Sequence, residues 1–294
     1  MGEHIFSFLD HPHDLQHRHY PRYFTRYELV SRDVTYQAFC RQAVVVPVVS
    51  CWVRDDLIRQ FGLAPAKVAV VPLAPAPALL EPDSPETATV LRAQQKLPER
   101  FVFYPAATWP HKNHIMLIRA LHLLSTQAGI RVDCVFAGPQ TDFYRQLAAE
   151  VQRLGLAGQV RFLGPVTSET LAALYKLATA VVIPSRFEAA SFPLWEAFLA
   201  RVPAACSTVT SLPDQAGDAA LLFDPDQAAD IASAIERLWL DESLRQTLVA
   251  RGVVNVNRFS WDRTARLFRA HYRRSAGCPL SDEDRDLLAE PAPF

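Results

Sequence analysis

Two carboxylates, one lysine and a proline-primed helix start are the residues of this chain whose types and spacing suit chemistry. The loop Pro184-Ser185-Arg186-Phe187-Glu188-Ala189-Ala190-Ser191-Phe192-Pro193 follows a short apolar run and leads into a segment reaching Ala200. Pro193 suits the first helical position, where the amide it lacks would have no partner in any case. A helix beginning there offers free backbone amides to an anion, and phosphate binding needs little more. Glu188 lies in the loop and Glu196 in the first turn, eight positions apart, so both carboxylates can face one ligand from opposite ends. A second loop, Pro105 to Asn113, brings Lys112 to the start of another helix, where a lysine suits a diphosphate.

These loops need a scaffold that puts them on one side. Short apolar runs at Phe101-Tyr104, Val132-Ala137, Gln159-Leu163, Ala180-Ile183, Ala204-Cys206 and Ala220-Phe223 read as strands. Helical segments fall between them: one that Asn113 can cap, ending near Ser125, one from Asp142 to Leu154, and one opened by Thr167 and ending near Leu177. Such alternation predicts an α/β fold, a doubly wound parallel sheet with ligands beyond the carboxyl ends of its strands. Upstream, Val44-Val49, a helix from Ser50 to Phe61 closed by Gly62, and Lys67-Val71 repeat the theme. Pro75, Pro77, Pro82 and Pro85 then mark a stiff exposed linker. Helices follow from Asp226 to Leu240 and Asp241 to Arg251, Ser260 caps one starting at Trp261, and the acidic tail after Gly277 reads as a frayed, solvated end.

The chain has 294 residues, 50% hydrophobic and 21% charged, with a formal net charge of -1, which is the balance of a soluble globular protein with no bulk attraction to nucleic acid or acidic membranes. Its five cysteines, Cys40, Cys51, Cys134, Cys206 and Cys278, are far apart and mostly in apolar runs, as expected of reduced thiols. Met1 to Phe6 lacks the charged and apolar regions of a secretion signal, and no apolar run is long enough to span a bilayer, so the cytoplasm is the expected location.

Beyond the two loops, an ordered set of segments carries a family resemblance. Glu188 to Glu196 resembles the E-x7-E motif of retaining glycosyltransferases with the GT-B fold, in the family-4 (group 1) type that includes many bacterial mannosyltransferases. Phe101-Val102-Phe103-Tyr104-Pro105 through His111-Lys112-Asn113-His114, then Phe136-Ala137-Gly138, Val160 to Gly164, and Ser211-Leu212-Pro213 with Gly217-Asp218-Ala219-Ala220 resemble that family's C-terminal domain in order and spacing. Phe259-Ser260-Trp261 is similar to its final helix, which crosses back to the N-terminal domain. The resemblance runs from Asp10 to Tyr272. It implies a partial N-terminal, acceptor-side Rossmann-like domain at 1–73, a linker at 74–98, a complete Rossmann-like nucleotide-sugar domain at 99–258, the crossover helix at 259–275 and a tail at 276–294.

The same resemblance implies roles. Glu196 would hold the ribose hydroxyls, Lys112 the diphosphate, and Glu188 with the amides near Ser191 and Phe192 the sugar, while His13 of Pro12-His13-Asp14 matches a histidine that reaches the donor sugar. The implied reaction moves a hexose, with mannose the leading candidate, from a nucleotide diphosphate sugar to a glycan or lipid-linked acceptor, without a metal ion or other cofactor. The alternative is a catalytically incomplete nucleotide-sugar-binding fragment or partner subunit, because the family's earlier strands and acceptor-side loop have no counterpart before Met1. Two further departures concern the donor loop: family members have Gly where Ala189 and often Ser191 stand, and many carry an arginine shortly before the lysine, where Thr108 to His111 stand here.

Plainer readings stand beside the rest. Glu188 and Glu196 can be surface carboxylates at a helix start, Lys112 a solvated loop lysine, and His13 a structural histidine. His11, His13, His17 and His19 invite a metal, but Pro12 and Pro21 and the lack of nearby cysteines favour a loop. Asp224-Pro225-Asp226 reads as a turn and helix cap rather than a metal-binding D-x-D. Arg18, Arg22 and Arg26 interleave with Tyr20, Tyr23, Phe24 and Tyr27, which suits an acceptor-side or membrane-facing loop, hence peripheral membrane association on the inner face, more than nucleic acid.

Overall fold

The computed structural model describes residues 12–75 and 91–294. Residues 76–90, most of the segment read as a linker, and residues 1–11 with His11 lie outside the described residues. The chain divides into two compact units, one made of residues 1–74 and 258–294, the other of residues 75–257.

The first unit opens with a single-turn helix, α1 (Gln16–His19), and a long one, α2 (Arg26–Gln42). The run of arginines and aromatics is therefore largely helical rather than a loop. A capping box explains why: Thr25 accepts from the Glu28 amide while the Glu28 carboxylate accepts from the Thr25 amide at 2.7 Å. Its residues also have internal work. Arg18 grips Asp33 of α2 at 2.6 and 3.0 Å and covers the Phe61 ring, and buried His17 meets the same Asp33 at 3.0 Å. His19 pairs at 2.7 Å with buried Asp56. Two histidines of the four-histidine cluster thus fasten α1 to its neighbours. Next come β1 (Val46–Val48), α3 (Cys51–Phe61), capped by Ser50 and closed by left-handed Gly62, and β2 (Val68–Val70), which lies parallel to β1 with Val46 opposite Val68.

The second unit runs β3 (Val102–Pro105), α4 (His114–Gln127), β4 (Cys134–Ala137), α5 (Tyr144–Arg153), β5 (Val160–Phe162), α6 (Ser168–Leu177), β6 (Ala180–Ile183), α7 (Phe192–Leu199), β7 (Ala204–Ser207), α8 (Leu212–Ala216) and β8 (Ala220–Phe223), then α9 (Ala228–Leu240) and α10 (Glu242–Val256). All six strands are parallel, in the order β5-β4-β3-β6-β7-β8. Every residue of β4, β6 and β7 is buried, as in a sheet covered by helices on both faces, which is why these strands read as continuous apolar runs rather than alternating ones. The order reverses between β3 and β6. Chain connections leave in opposite directions from that pair, so a crevice opens beyond their carboxyl ends.

The chain then returns to the first unit with α11 (Trp261–Ser275) and α12 (Asp282–Ala289). Thr264 of α11 donates to the Pro72 carbonyl at 2.6 Å, just past β2. The acidic tail expected to fray forms α12 instead. Ser281 and Asp284 make a second capping box, and the buried Asp284 side chain meets Arg269 at 3.0 Å and Arg273 at 2.7 Å. Those arginines, Arg273 foremost, hold its carboxyl well below the usual carboxylate range. The acidity that suggested solvation serves an anchored helix.

Gly138, after β4, has φ of 137°, and a Cβ there would lie 2.7 Å from the Ala106 carbonyl carbon and oxygen, so the β3 and β4 loops touch backbone to backbone. Gly155, after α5, has φ of 70° but open space around it. Gly138→Ala should therefore cost about 2–4 kcal/mol, strain plus overlap, against about 1 kcal/mol for Gly155→Ala, as read by urea unfolding. Equal losses would mean that the Ala106 contact does not constrain the loop.

Candidate functional site

Because β3 and β6 are neighbours, the loops that follow them meet. The Arg186 amide donates to the His111 carbonyl at 2.8 Å, joining the two main chains. Asn113 stands at the helix start as expected, but its side chain does not cap α4. Its backbone is left-handed, with φ of 60°, and its amide nitrogen donates to the Pro184 and Pro225 carbonyls at 2.9 and 2.8 Å. One buried side chain thus ties together the loops after β3, β6 and β8. Nor does Asp226 cap α9, which begins at Ala228 after Gln227. Asp224 accepts from the Asp226 amide at 2.8 Å in a turn, and Asp226 pairs with Arg186 at 2.7 Å.

At the meeting point Lys112 Nζ lies 2.7 Å from Glu188 Oε1, with the lysine side chain 22% and the glutamate side chain 8% exposed. Ser185 Oγ lies 2.5 Å from the same oxygen, and Tyr104 OH lies 2.8 Å from Ser185 Oγ. Burial and the nearby Lys112 charge push the His111 imidazole down to about 4, so it is neutral at physiological pH and leaves the cationic role in this loop to Lys112. Burial also pushes His114 down, to about 3.

The stretch from Glu188 to Ser191 is held by the segment around α8. The Glu188 amide donates to Thr210 Oγ1 at 3.0 Å, and Ser211 Oγ donates to the Glu188 carbonyl at 2.8 Å. Gln215 brackets Ser191, accepting from its amide at 2.8 Å and donating to its carbonyl at 2.7 Å. Ser191 is the N-cap position of α7, yet its hydroxyl is buried with no hydrogen-bond partner among the described residues. The helix starts at Phe192, so Pro193 is its second residue, and Glu196 lies in the second turn rather than the first. Tyr175 of α6 donates to Glu196 Oε2 at 2.6 Å. Burial raises the Glu196 carboxyl above its ordinary range, with the Tyr175 bond opposing that rise.

The structure therefore joins Lys112 directly to Glu188 and sets Ser191, Phe192 and Glu196 along the next helix. His13 belongs to the first unit, where it is exposed, beside Asp14, whose carboxyl burial raises and which accepts from the Gln16 amide at 2.8 Å. Sequence reading missed Tyr104, Tyr175, Ser185, Thr210, Gln215 and the cross-loop role of Asn113. Ser185 and Asn113 stand inside the two loops under suspicion. Tyr104 directly precedes the first loop, whereas Tyr175 lies ahead of the second and Thr210 and Gln215 beyond it, on other elements, where no spacing rule singles them out.

The chain belongs to the family described as Glycosyl transferases group 1, which matches residues 89–253. It is 32% identical over 223 residues to the O-antigen chain mannosyltransferase B of Escherichia coli, covering 75% of this chain and 58% of that one. It is 32% identical over 228 residues to the D-inositol 3-phosphate glycosyltransferase of Actinosynnema mirum, covering 74% and 54%. The chain thus spans little more than half the length of these curated relatives. Among solved structures it is similar to sucrose-phosphate synthase (tll1590) from Thermosynechococcus elongatus, with a TM-score of 0.78 at 23% identity over 92% of this chain and 68% of that one. It is also similar to Anabaena Alr3699/HepE in complex with UDP and glucose, with a TM-score of 0.77 at 21% identity over 90% and 71%. These likenesses show the fold, which is GT-B.

If an ionised Glu196 binds ligand hydroxyls, its raised carboxyl sets the acid limit. Affinity is full above that value and is lost as pH falls through it, beginning at a higher pH than for a solvated glutamate. Tyr175→Phe removes the lowering bond, so the loss should begin at a still higher pH. Nucleotide affinity measured against pH checks both, and identical wild-type and Tyr175→Phe profiles would remove Glu196 from the ligand.

Proposed function

We propose that this chain is a retaining hexosyltransferase that binds a nucleoside diphosphate sugar at the loops after β3 and β6. The observation that carries the reading is the Lys112–Glu188 pair, set at the point where the strand order reverses. The family supports the reaction class, and the mannosyltransferase relative favours mannose as the sugar.

In this reading Lys112 and the positive end of the α7 dipole neutralise the diphosphate, as a metal ion does in other transferases, so the reaction proceeds without one. Glu196 accepts hydrogen bonds from the two ribose hydroxyls. Glu188, with the amides near Ser191 and Phe192, holds the sugar and supports the positive charge that develops on it as the anomeric carbon–oxygen bond breaks. That bond's electron pair leaves with the diphosphate. The acceptor hydroxyl forms the new bond on the same face and gives its proton to the departing phosphate oxygen, which retains configuration. The acceptor is a glycan or a lipid-linked saccharide, and the chain works in the cytoplasm or peripherally on the inner membrane face, with the exposed Tyr27, Val30 and Val34 of α2 as apolar contacts.

A second reading is a donor-binding fragment or partner subunit that does not transfer sugar alone. The two-stranded sheet of the first unit among the described residues favours it. Transfer by the purified chain, unaided, excludes it.

Calorimetry with GDP and UDP tests the donor site. Glu196→Ala and Lys112→Ala should each weaken nucleotide binding by about tenfold or more, since each removes a charge-assisted contact. Glu188→Gln should leave nucleotide affinity within about twofold yet slow sugar transfer by about a hundredfold. Unchanged nucleotide affinity in Glu196→Ala would sink the assignment.

A further inference from the structure

Ser185 and Tyr104 have no part in the reaction as described, yet they complete the hydrogen bonding of Glu188. Both are fully buried. A hydroxyl has a single hydrogen to give. Ser185 gives its own to Glu188 Oε1 and accepts from Tyr104, whose hydrogen is shared with the Lys112 carbonyl at 3.2 Å. Burial and the Glu188 charge hold the Tyr104 phenol far above its ordinary range, so it stays a donor. The dipoles line up from Tyr104 through Ser185 toward the carboxylate.

The two donors on Glu188 Oε1 differ in kind. Lys112 is a charge on a flexible, partly exposed stem, and a diphosphate carries more negative charge than one carboxylate, so an arriving donor draws the ammonium toward itself. Ser185 is neutral, short and fixed just past β6, with its own carbonyl accepting from Ser207 Oγ at 2.6 Å. It cannot follow the phosphates.

We propose that Ser185, backed by Tyr104, is the positioning residue that keeps Glu188 Oε1 anchored when the donor diphosphate takes Lys112, leaving Oε2 for the sugar. Ser185 has this role only if the donor occupies the site as proposed above. Calorimetry with GDP, UDP, GDP-mannose and UDP-glucose on the wild-type chain, Ser185→Ala, Ser185→Thr and Tyr104→Phe separates the cases. Ser185→Ala should bind the preferred nucleoside diphosphate within about twofold of wild type and lose about tenfold in affinity for the matching nucleotide sugar. Ser185→Thr, which keeps the hydroxyl, should restore most of that loss, and Tyr104→Phe should lose about threefold, because the serine bond remains. Equal weakening toward nucleotide and nucleotide sugar in both Ser185→Ala and Tyr104→Phe would mean general damage to the loop and overturn the proposal. So would an unchanged preference for the nucleotide sugar in Ser185→Ala. If the wild-type chain takes none of the four ligands, the donor reading itself falls, and this role with it.

Discussion

The bond between Lys112 and Glu188 joins residues 76 positions apart, and the surrounding architecture is arranged around it. A partly buried ion pair is stable only when its remaining hydrogen-bonding capacity is met and its geometry is fixed by the scaffold. Here the scaffold is the adjacency of β3 and β6, which turns two distant loops into one surface. The main-chain bond from Arg186 to His111 and the Asn113 side chain keep that surface from opening. Without the strand order, the lysine would be one more solvated loop residue.

The pair also organises charge. Glu188 balances Lys112, His111 is neutral, and Arg186 is engaged by Asp226, so little unbalanced charge is left in the two loops. A dianionic ligand entering such a place exchanges one partner for another rather than filling a bare positive hole. The amino-terminal end of α7 adds positive potential beside the two loops. That makes the exact path of the Glu188–Ser191 backbone matter more than it would in a site rich in arginine.

Much of this was legible in the sequence. The strands of the second unit stood out as apolar runs because both sheet faces are covered, and the ordered motifs singled out Lys112 and Glu188, which the structure brings together. Less legible were contacts made by residues with no local pattern. Tyr175 is one more apolar position on an amphipathic helix until folding brings its hydroxyl to Glu196, and Gln215 is an ordinary polar residue until it brackets Ser191. Asn113 suggested a cap because asparagine caps helices so often, yet a left-handed backbone turned its side chain inward to the loops after β6 and β8. The acidic tail misled for a related reason. Composition does not distinguish a solvated carboxylate from one facing Arg269 and Arg273, because those partners lie a helix away.

The grip of the α8 segment on the loop after β6 has a consequence for engineering. Thr210, Ser211 and Gln215 hydrogen-bond to main-chain atoms of Glu188 and Ser191, so these bonds fix the loop's path whatever side chains it carries. The two stretches, one just before α7 and the other just after β7, are tied to each other through the main chain. Grafting a glycine-bearing loop onto this chain while keeping Gln215 would impose on it the path that these bonds fix. Chimeras between relatives should take their boundaries outside both stretches, before Pro184 and after Gly217, so that loop and holder travel together.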